Sequence, residues 1–321
     1  MITVKKIILL QALITLIINS SFSQTTEAEK QLRTQSADST EGWKKGGVVS
    51  LNLSQTSLTN WAAGGQNALS ANGLASLFAN YKKGKSIWTS SLDLGYGILK
   101  QGKDEDLVKT DDKIDLLSKY GRQLIKKWYY AALLNFKTQM TAGYNYPNDS
   151  VKISGPLAPA YLLGSLGLDY KPNDDFNMYI SPVTSKITIV IDQDLANSGA
   201  FGVTPADTSG GIIFSKGEKA RFELGGYIRM EYRKKLMENI TVLTKLDLFS
   251  NYLSNPQNID VGWETLLTLK VNKYISATLS AHLIYDDDID IAGDSDNDGE
   301  IEYIPRTQFK EVLGIGFSYN F

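Results

Sequence analysis

The sequence ends in GIGFSYNF, residues 314–321, in which small or polar residues alternate with apolar ones and the final residue is aromatic. A period of two is the period of a β-strand, so one face of this segment is apolar and the other is polar. A strand of this kind is typical of the end of an outer-membrane β-barrel, where one face meets lipid and the other a lumen. We therefore predict that Phe317, Tyr319 and Phe321 form the assembly signal of a transmembrane barrel.

The amino terminus has the features of a secretory signal peptide. Met1 to Lys6 form a basic region, residues 7–18 are mainly apolar, and Ser21-Phe22-Ser23 has the small-x-small pattern of a cleavage site. The apolar stretch is too short for a membrane-spanning helix, and the sequence contains no cysteine that could carry a lipid or form a disulfide. If a membrane holds the mature chain, strands must do so.

The rest of the chain divides into a short polar segment and one long domain. We expect a signal peptide over 1–23, a flexible periplasmic tail over the Gln-, Thr- and Glu-rich residues 24–42, and a barrel over 43–321. The expected location is the cell outer membrane of a Gram-negative bacterium. A formal net charge of −2 gives no basic footprint, so nucleic acid is not an expected partner. The expected partners are outer-membrane lipid, lipopolysaccharide and, during biogenesis, the barrel-assembly machinery.

Alternation recurs along the chain in segments long enough to cross a bilayer as tilted strands, about 9 to 11 residues each. In the eighth of these segments, residues 219–233, Phe222 and Leu224 share one face while Arg221 and Glu223 share the other. The seventh contains Pro182, which cannot donate a ladder hydrogen bond, so it is the weakest prediction. We predict an all-β, antiparallel up-and-down barrel of about twelve strands, at 45–56, 67–81, 86–99, 111–124, 128–141, 159–171, 176–191, 219–233, 239–252, 259–271, 274–286 and 305–321.

The connections between these segments alternate between short and long. Short ones such as 82–85 and 172–175 contain the turn-forming residues Gly, Pro, Asn and Asp. Alternate connections of an up-and-down barrel lie on the same rim, and outer-membrane barrels have short periplasmic turns and longer outer loops. A soluble β-sandwich would explain neither this alternation nor the terminal aromatic residue.

The first segment and the turn that follows it carry a family resemblance. Residues 51–65 read LNLSQTSLTNWAAGG, and the string NWAAGG at 60–65 is its most specific part. This stretch resembles the opening of an uncharacterised Bacteroidota family of the DUF3078 type, a domain of unknown function made of predicted outer-membrane barrels. The similarity is expected to extend over residues 42–321. It implies a fold and a location, but no activity and no catalytic residues.

The polar faces of the predicted strands carry charges of both signs, which we expect to line the lumen. Twelve strands lie between eight, which leave no pore, and sixteen, which leave an aqueous channel. The sequence is consistent with a packed, salt-bridged interior and with a narrow, weakly anion-preferring conduit. The predicted lumen-lining residues are Lys137, Arg221, Glu223, Arg229, Glu231, Lys245, Asp247, Glu264 and Lys270, and Asp93, Lys119, Lys186 and Lys310 share their phase.

An acidic loop near the carboxyl terminus contains the pattern D-x-D-x-D-G, the first half of a calcium-binding loop. Asp294, Asp296, Asp298 and Glu300 are the candidate ligands, and no other cofactor is expected. The glutamate expected at loop position 12 is absent, because that position is Pro305. A solvated acidic loop is the alternative interpretation.

No constellation of residues predicts catalysis. His282 is the only histidine, and Ser276 and Ser280 share its strand face, which we expect to point into the lumen, where a structural role is favoured. We therefore expect a non-enzymatic barrel that acts as a narrow pore for small polar solutes. The alternative is a structural or interaction barrel with a packed lumen, whose outer loops bind a partner, lipopolysaccharide or calcium.

Overall fold

The computed structural model describes residues 41–58, 66–102, 106–146, 148–173, 175–209, 212–270, 275–293 and 302–320. Twelve antiparallel strands form a closed barrel in which sequence neighbours pair and the first strand pairs with the last. This confirms the predicted all-β barrel. The strands are β1 Gly42–Thr56, β2 Ala68–Lys83, β3 Ser86–Gln101, β4 Leu107–Ile125, β5 Trp128–Thr138, β6 Ala160–Tyr170, β7 Phe176–Ile189, β8 Ala220–Met237, β9 Ile240–Asn251, β10 Asp260–Lys270, β11 Ile275–Tyr285 and β12 Gln308–Asn320.

The predicted terminal strand closes the ring. β12 pairs with β1 through a register in which Phe317 lies opposite Leu51 and Tyr319 lies opposite Val49. Leu51 and Val49 are exposed apolar side chains on the outside of the barrel. Phe321, the third residue of the predicted assembly signal, lies outside the described residues.

The strand that contains Pro182 is continuous. The register of β7 shifts against both of its neighbours around this residue, which marks a β-bulge. A bulge accommodates a residue that has no N–H to donate to the ladder. Because the bulge adds one residue on the outside, Ser181 and Thr184 both remain buried inside the barrel, where the Thr184 hydroxyl donates to Ser181 Oγ at 2.8 Å.

All strand ends lie within four residues of their predicted positions, and the largest differences, of four residues, are at the start of β4 and at the end of β8. β4 begins at Leu107 instead of 111, and β5 ends at Thr138 instead of 141. A register shift near Gly97 extends the pairing of β3 with β4. The connection 102–106 is therefore no longer than the turn 171–175, so the strict alternation of short and long connections was wrong at that point.

The short turns lie on one side of the barrel, which we call the short-turn rim, and those from β1 to β8 are joined by hydrogen bonds. Gly84 N donates to Glu41 Oε1 at 2.7 Å, and Gln123 N donates to the Lys85 carbonyl at 2.7 Å. The same backbone pattern joins Lys171 N to the Lys127 carbonyl at 2.9 Å. Adjacent strand ends are thus held together along this side of the barrel.

The outer wall of the barrel is apolar. Exposed aliphatic side chains occupy its outward positions, and aromatic side chains lie toward both strand ends. The aliphatic positions include Val49, Leu51, Leu53, Leu69, Leu77, Leu116, Leu134, Leu166 and Val183, and the aromatic ones include Trp43, Trp88, Tyr120, Tyr130 and Tyr232 near the short-turn rim and Tyr96, Phe222, Trp263 and Phe309 near the other end. Among the described residues, no helix has the length and apolar character needed to cross a membrane.

The long connections carry small elements of their own. Two-stranded hairpins form between Gly143–Asn145 and Asn148–Ser154, between Asp207–Ser209 and Ile212–Ser215, and between Asp290–Gly293 and Glu302–Pro305. The connection after β7 also contains helix α1, Gln193–Asn197, and a 3₁₀ turn, Ala200–Gly202.

An apolar cluster holds these long connections together. Ala158, Val190, Leu195, Ala196 and Val203 are all buried and pack against one another. We call this the lid cluster, because it joins the connection before β6 to the one after β7 at the long-loop end. At Gly202 an added Cβ would lie 2.5 Å from Arg221 Nη1 of β8, so the lid reaches the barrel interior.

Candidate functional site

The lumen is defined by strand positions that alternate with the exposed apolar wall. On β8, for example, Phe222 is 57% exposed while its neighbour Glu223 is 1% exposed and contacts other inward-facing side chains. Two sets of side chains share this interior. One is apolar and enclosed, and the other is charged and partly open to solvent.

The apolar set consists of Ala131, Leu133, Tyr179, Tyr227 and Phe249, which we call the lumen cluster. These residues lie on β5, β7, β8 and β9, and each is at most 6% exposed. The rings of Tyr179 and Tyr227 meet edge to face with centroids 6.3 Å apart, a favourable arrangement for aromatic pairs. This side of the lumen is filled.

Polar atoms around the lumen cluster are satisfied within the barrel. The Tyr179 hydroxyl lies 2.9 Å from Ser165 Oγ, and the Tyr227 hydroxyl donates to Asp247 Oδ1 at 2.5 Å. Cations cover both ends of the cluster: Lys119 Nζ lies 5.9 Å from the Tyr179 ring centroid and Lys186 Nζ lies 5.1 Å from that of Phe249. Such contacts are attractive because the ring faces carry negative charge density.

A glycine makes room for the Phe249 ring of the cluster. An added Cβ at Gly225 would approach the Phe249 ring to 2.8 Å and the Ser250 carbonyl oxygen to 2.0 Å. Glycine in a strand interior often marks such a close approach. Glycine at position 225 of β8 thus leaves the space that the Phe249 side chain of β9 occupies.

The charged set consists of Lys113, Asp115, Lys137, Lys245, Glu264 and His282, which we call the ionic belt. Its pairs are long: Lys113 Nζ and Lys137 Nζ lie 3.8 and 3.9 Å from Asp115, and Lys245 Nζ lies 3.6 Å from Glu264. The Lys137 side chain is 42% exposed. Glu264 is 30% exposed and Lys245 is 6% exposed, so Lys137 and Glu264 keep their charges in contact with water inside the barrel while Lys245 is buried.

The ionic belt has members on opposite walls of the barrel. Glu264 lies on β10, which is directly opposite β4 in the ring of twelve strands. Lys113 of β4 and Lys137 of β5, which pair with Asp115, are therefore on the other side of the lumen from Glu264. His282 of β11 is 37% exposed, and its Nε2 lies 3.6 Å from Glu264 Oε1. The belt therefore places charges of both signs on two walls of the lumen.

A second ionic cluster lies at the long-loop end. Lys186 Nζ is 2.8 Å from Asp260 and 3.4 Å from both Glu223 and Asp286. Arg221 joins this cluster, with Nη2 3.0 Å from Glu223 and Nη1 3.0 Å from Asp288. These contacts link β7, β8 and β10 to the connection that follows β11.

A cavity of about 390 Å³ lies beside the short-turn rim. Leu117 and Leu133 form its apolar side, next to the lumen cluster. Its polar lining includes Asn80, Lys82, Asp93, Lys119, Lys171, Asn177, Arg229, Glu231 and Arg233. Asp169, which is 3% exposed, anchors the lysines beside it, since its Oδ1 accepts from Lys119 Nζ at 3.0 Å.

The predicted lumen residues are distributed among these groups. Lys137, Lys245 and Glu264 belong to the ionic belt, and Arg221 and Glu223 to the long-loop cluster. Arg229 pairs with Asp247 at 3.2 Å beside the lumen cluster, and Glu231 lines the rim cavity. The side chain of Lys270 lies outside the described residues.

The candidate calcium ligands Asp294, Asp296, Asp298 and Glu300 also lie outside the described residues, between the paired strands Asp290–Gly293 and Glu302–Pro305. Carboxylates near this loop are engaged elsewhere: Asp286 and Asp288 pair with Lys186 and Arg221, and Glu302 pairs with Arg306. No group of acidic or histidine side chains in the described part of the chain is arranged to hold a metal ion. Calcium binding stays a prediction.

The sequence did not point to the lumen cluster or to Asp169. Tyr179 and Tyr227 occupy inward positions that were expected to be polar, and an isolated tyrosine in an alternating strand gives no sign of what it packs against. Lys186 contacts acidic residues of three other elements, which only the closed ring brings together. The phase of the alternation identifies such positions but not their partners.

Comparisons with known proteins agree with the predicted resemblance over part of the chain. Residues 53–144 match the model of a family described as "Protein of unknown function (DUF3078)". No curated protein matches the chain.

Three solved structures are similar at low identity. The translocator domain of autotransporter NalP from Neisseria meningitidis is 9% identical, with coverage of 92% of this chain and 99% of that chain and a TM-score of 0.37. An outer-membrane channel from Pseudomonas putida F1 is 10% identical, with 89% and 97% coverage and a TM-score of 0.41. The Pseudomonas putida toluene transporter TodX is 9% identical, with 94% coverage of each chain and a TM-score of 0.31. Similarities of this size carry no functional argument.

Proposed function

We propose that the protein is a non-enzymatic outer-membrane barrel that conducts small polar solutes along its ionic belt. The observation that carries this proposal is the exposure of inward-facing charges: Lys137 and His282 keep 42% and 37% of their side-chain surface open inside the barrel. A fully packed lumen would bury such groups, as it buries Tyr179. The open surface defines a wet path beside the lumen cluster.

The outer wall supports a membrane location. A closed barrel with an exposed aliphatic band between two aromatic zones suits a lipid bilayer, because its strands pair around the ring and the outward band is mainly apolar. The predicted signal peptide is consistent with export. The outer membrane of a Gram-negative bacterium is therefore the proposed location.

The charges of the belt suggest a weak preference for anions. Lys113, Lys137 and Lys245 face two carboxylates, those of Asp115 and Glu264. Fixed charges at a constriction select for ions of the opposite sign. Since the positive excess is small and both signs are present, zwitterionic and small anionic solutes are the proposed substrates.

Conductance of single refolded barrels in a planar bilayer of neutral phosphatidylcholine tests this proposal. We expect small, reproducible steps and a reversal potential that indicates anion preference in a salt gradient. Glu264→Gln should strengthen that preference and Lys137→Gln should weaken it. Lys216→Gln, which removes an exposed lysine of a long connection, serves as the matched control and should leave selectivity unchanged.

The second candidate is a packed structural or interaction barrel, which the filled lumen cluster and the lid cluster favour. Silence in the bilayer, from protein whose heat-modifiable gel mobility shows a folded barrel, would contradict the pore. It would direct attention to the long connections as binding surfaces for a partner, lipopolysaccharide or calcium.

A further inference from the structure

The short-turn rim is strongly basic. Its exposed cations form no ion pair among the described residues, in contrast to the paired lysines of the lumen. We call this set the basic collar, and its members are Lys45, Lys83, Lys85, Arg122, Lys126, Lys127, Lys234 and Lys235.

Few acidic residues offset the collar. Glu41, Asp175 and Glu238 are the exposed carboxylates in the described part of this rim, and Glu41 already accepts a hydrogen bond from the Gly84 backbone. Hydrogen bonds between neighbouring turns, from Glu41–Gly84 to Asp175–Arg233, hold the basic residues along the rim from β1 to β8. The rim therefore carries a concentrated positive potential.

An aromatic zone lies directly beside the collar on the outer wall. Trp43 packs against Tyr81 and Trp88, with ring centroids 5.0 and 6.1 Å apart, and Trp128 packs against Tyr170 at 4.6 Å. Tryptophan and tyrosine at such positions mark the boundary between hydrocarbon and headgroups. The collar is therefore at headgroup height.

The sequence repeats the same arrangement on several strands. Tyr81 and Lys83, Tyr120 and Arg122, and Tyr232 and Lys234 are each two residues apart, so each pair shares the outward face with its cation nearer the rim. On β1, Lys45 Nζ lies 5.7 Å from the Trp43 ring centroid. A lysine whose stem lies on apolar surface can extend its ammonium toward the headgroups.

We propose that the basic collar binds the phosphate groups of anionic phospholipids in the leaflet that surrounds the short-turn rim. This inference rests on the membrane location proposed above, but not on conduction. Two observations carry it: cations without ion pairs among the described residues along the rim, and an aromatic zone that places this part of the rim at the headgroups. A soluble acidic polymer would not need the aromatic zone, which is why a lipid is the favoured partner.

Tryptophan quenching by brominated lipid tests the proposal, because Trp43, Trp88 and Trp128 all lie near the collar. The experiment uses protein that carries Trp61→Phe and Trp263→Phe, so that the emission comes from the three tryptophans near the collar. We expect brominated phosphatidylglycerol to bind the contact sites at least about fivefold better than brominated phosphatidylcholine. A ratio of this size corresponds to one favourable contact between a basic residue and an anionic lipid. Added salt should reduce this ratio, because it screens charges at the membrane surface.

A six-site variant, Lys83, Lys85, Lys126, Lys127, Lys234 and Lys235 each to Gln, should lose the selectivity. A control variant, Lys100, Lys216 and Lys219 each to Gln, removes three exposed lysines of the long-loop end and should keep the selectivity. Equal quenching by both lipids, or undiminished selectivity in the six-site variant, would overturn the proposal. Both variants should conduct as the parent does in phosphatidylcholine, which separates failure of the collar from failure of the pore.

Discussion

The lumen cluster and the ionic belt occupy one interior and are built by overlapping strands, yet they differ in how they meet water. Tyr179 of the cluster is 0% exposed, whereas Lys137 of the belt is 42% exposed. β5 contributes to both, since Leu133 and Lys137 lie on the same face of that strand. The side chains, and not the backbone, therefore determine which part of the lumen is dry.

This difference separates two tasks. Enclosed aromatic and aliphatic side chains contribute packing and burial, which stabilise a barrel. Charges that remain wet contribute little to stability but define which solutes pass. Variants of matched size in the two groups should therefore have opposite consequences for stability and conduction.

Phe249→Ala should have the largest effect. The change removes an enclosed ring and leaves a cavity next to Gly225, so we expect a loss of about 3–5 kcal/mol in the free energy of unfolding. It should also widen the lumen and increase single-channel conductance. Urea unfolding of the refolded barrel in vesicles measures the first effect. The control is Phe222→Ala on the outer wall, which leaves no internal cavity; a loss as large there would contradict the comparison.

Lys119→Met should have the second largest effect on stability. Lys119 is 15% exposed and pairs with the buried Asp169, so its removal leaves a carboxylate with less compensation. We expect a loss of about 3 kcal/mol by the same measurement, because breaking a buried pair exposes the cost of desolvating the remaining charge. Lys171 also pairs with Asp169, at 3.4 Å. If Lys171 alone compensated the carboxylate, the loss would be negligible.

The strands could be read from the sequence because alternation is a local property. Each strand of the barrel, including β7 with its proline, has a counterpart among the predicted segments. The alternation also predicted that Glu264 and His282 face the lumen, but it did not predict that they lie beside each other. A barrel converts local alternation into a global inside and outside, so this part of the fold needs no knowledge of long-range contacts.

The contents of the lumen could not be read in the same way. Tyr227 and Asp247 meet across paired strands, but Lys186 of β7 pairs with Asp260 of β10 and with Asp286 after β11. Such contacts depend on strand number and register, which small changes in strand ends alter. The lid cluster also depends on residues far apart in the chain, since Ala158 packs with residues of the connection after β7.

Asp192→Ala should have a smaller effect, confined to the lid. Asp192 caps helix α1 by accepting from the backbone N–H groups of Asp194 and Leu195, and it also pairs with Lys152. We expect a local loss of about 1 kcal/mol, as for other N-cap aspartates. Hydrogen exchange of the amides of residues 193–197 measures it. Asp194→Ala, which removes an exposed first-turn carboxylate without a capping bond, should change exchange much less.

The same contact gives the lid a pH dependence. The hydrogen bond from Lys152, followed by those from the α1 backbone, lowers the pKa of Asp192. A lowered carboxyl pKa contributes stability above the ordinary value, about 3.9, that is lost as the pH falls through the folded-state value. Exchange in α1 should therefore rise beyond its intrinsic pH trend only below about pH 4, and this extra rise should be absent in Asp192→Ala.

Lys137→Met should have the smallest effect on stability. Asp115 keeps Lys113 and also accepts from Asn135 Nδ2 at 2.6 Å, so no buried charge is left without a partner. The lost pair was already long and partly solvated, which implies a change of at most about 1 kcal/mol. Because the same Lys→Met substitution is made at 119 and at 137, a difference between the two losses of stability reports the difference in surroundings. Equal losses at the two sites would mean that the belt is as dry as the cluster, and the wet path that the pore requires would not exist.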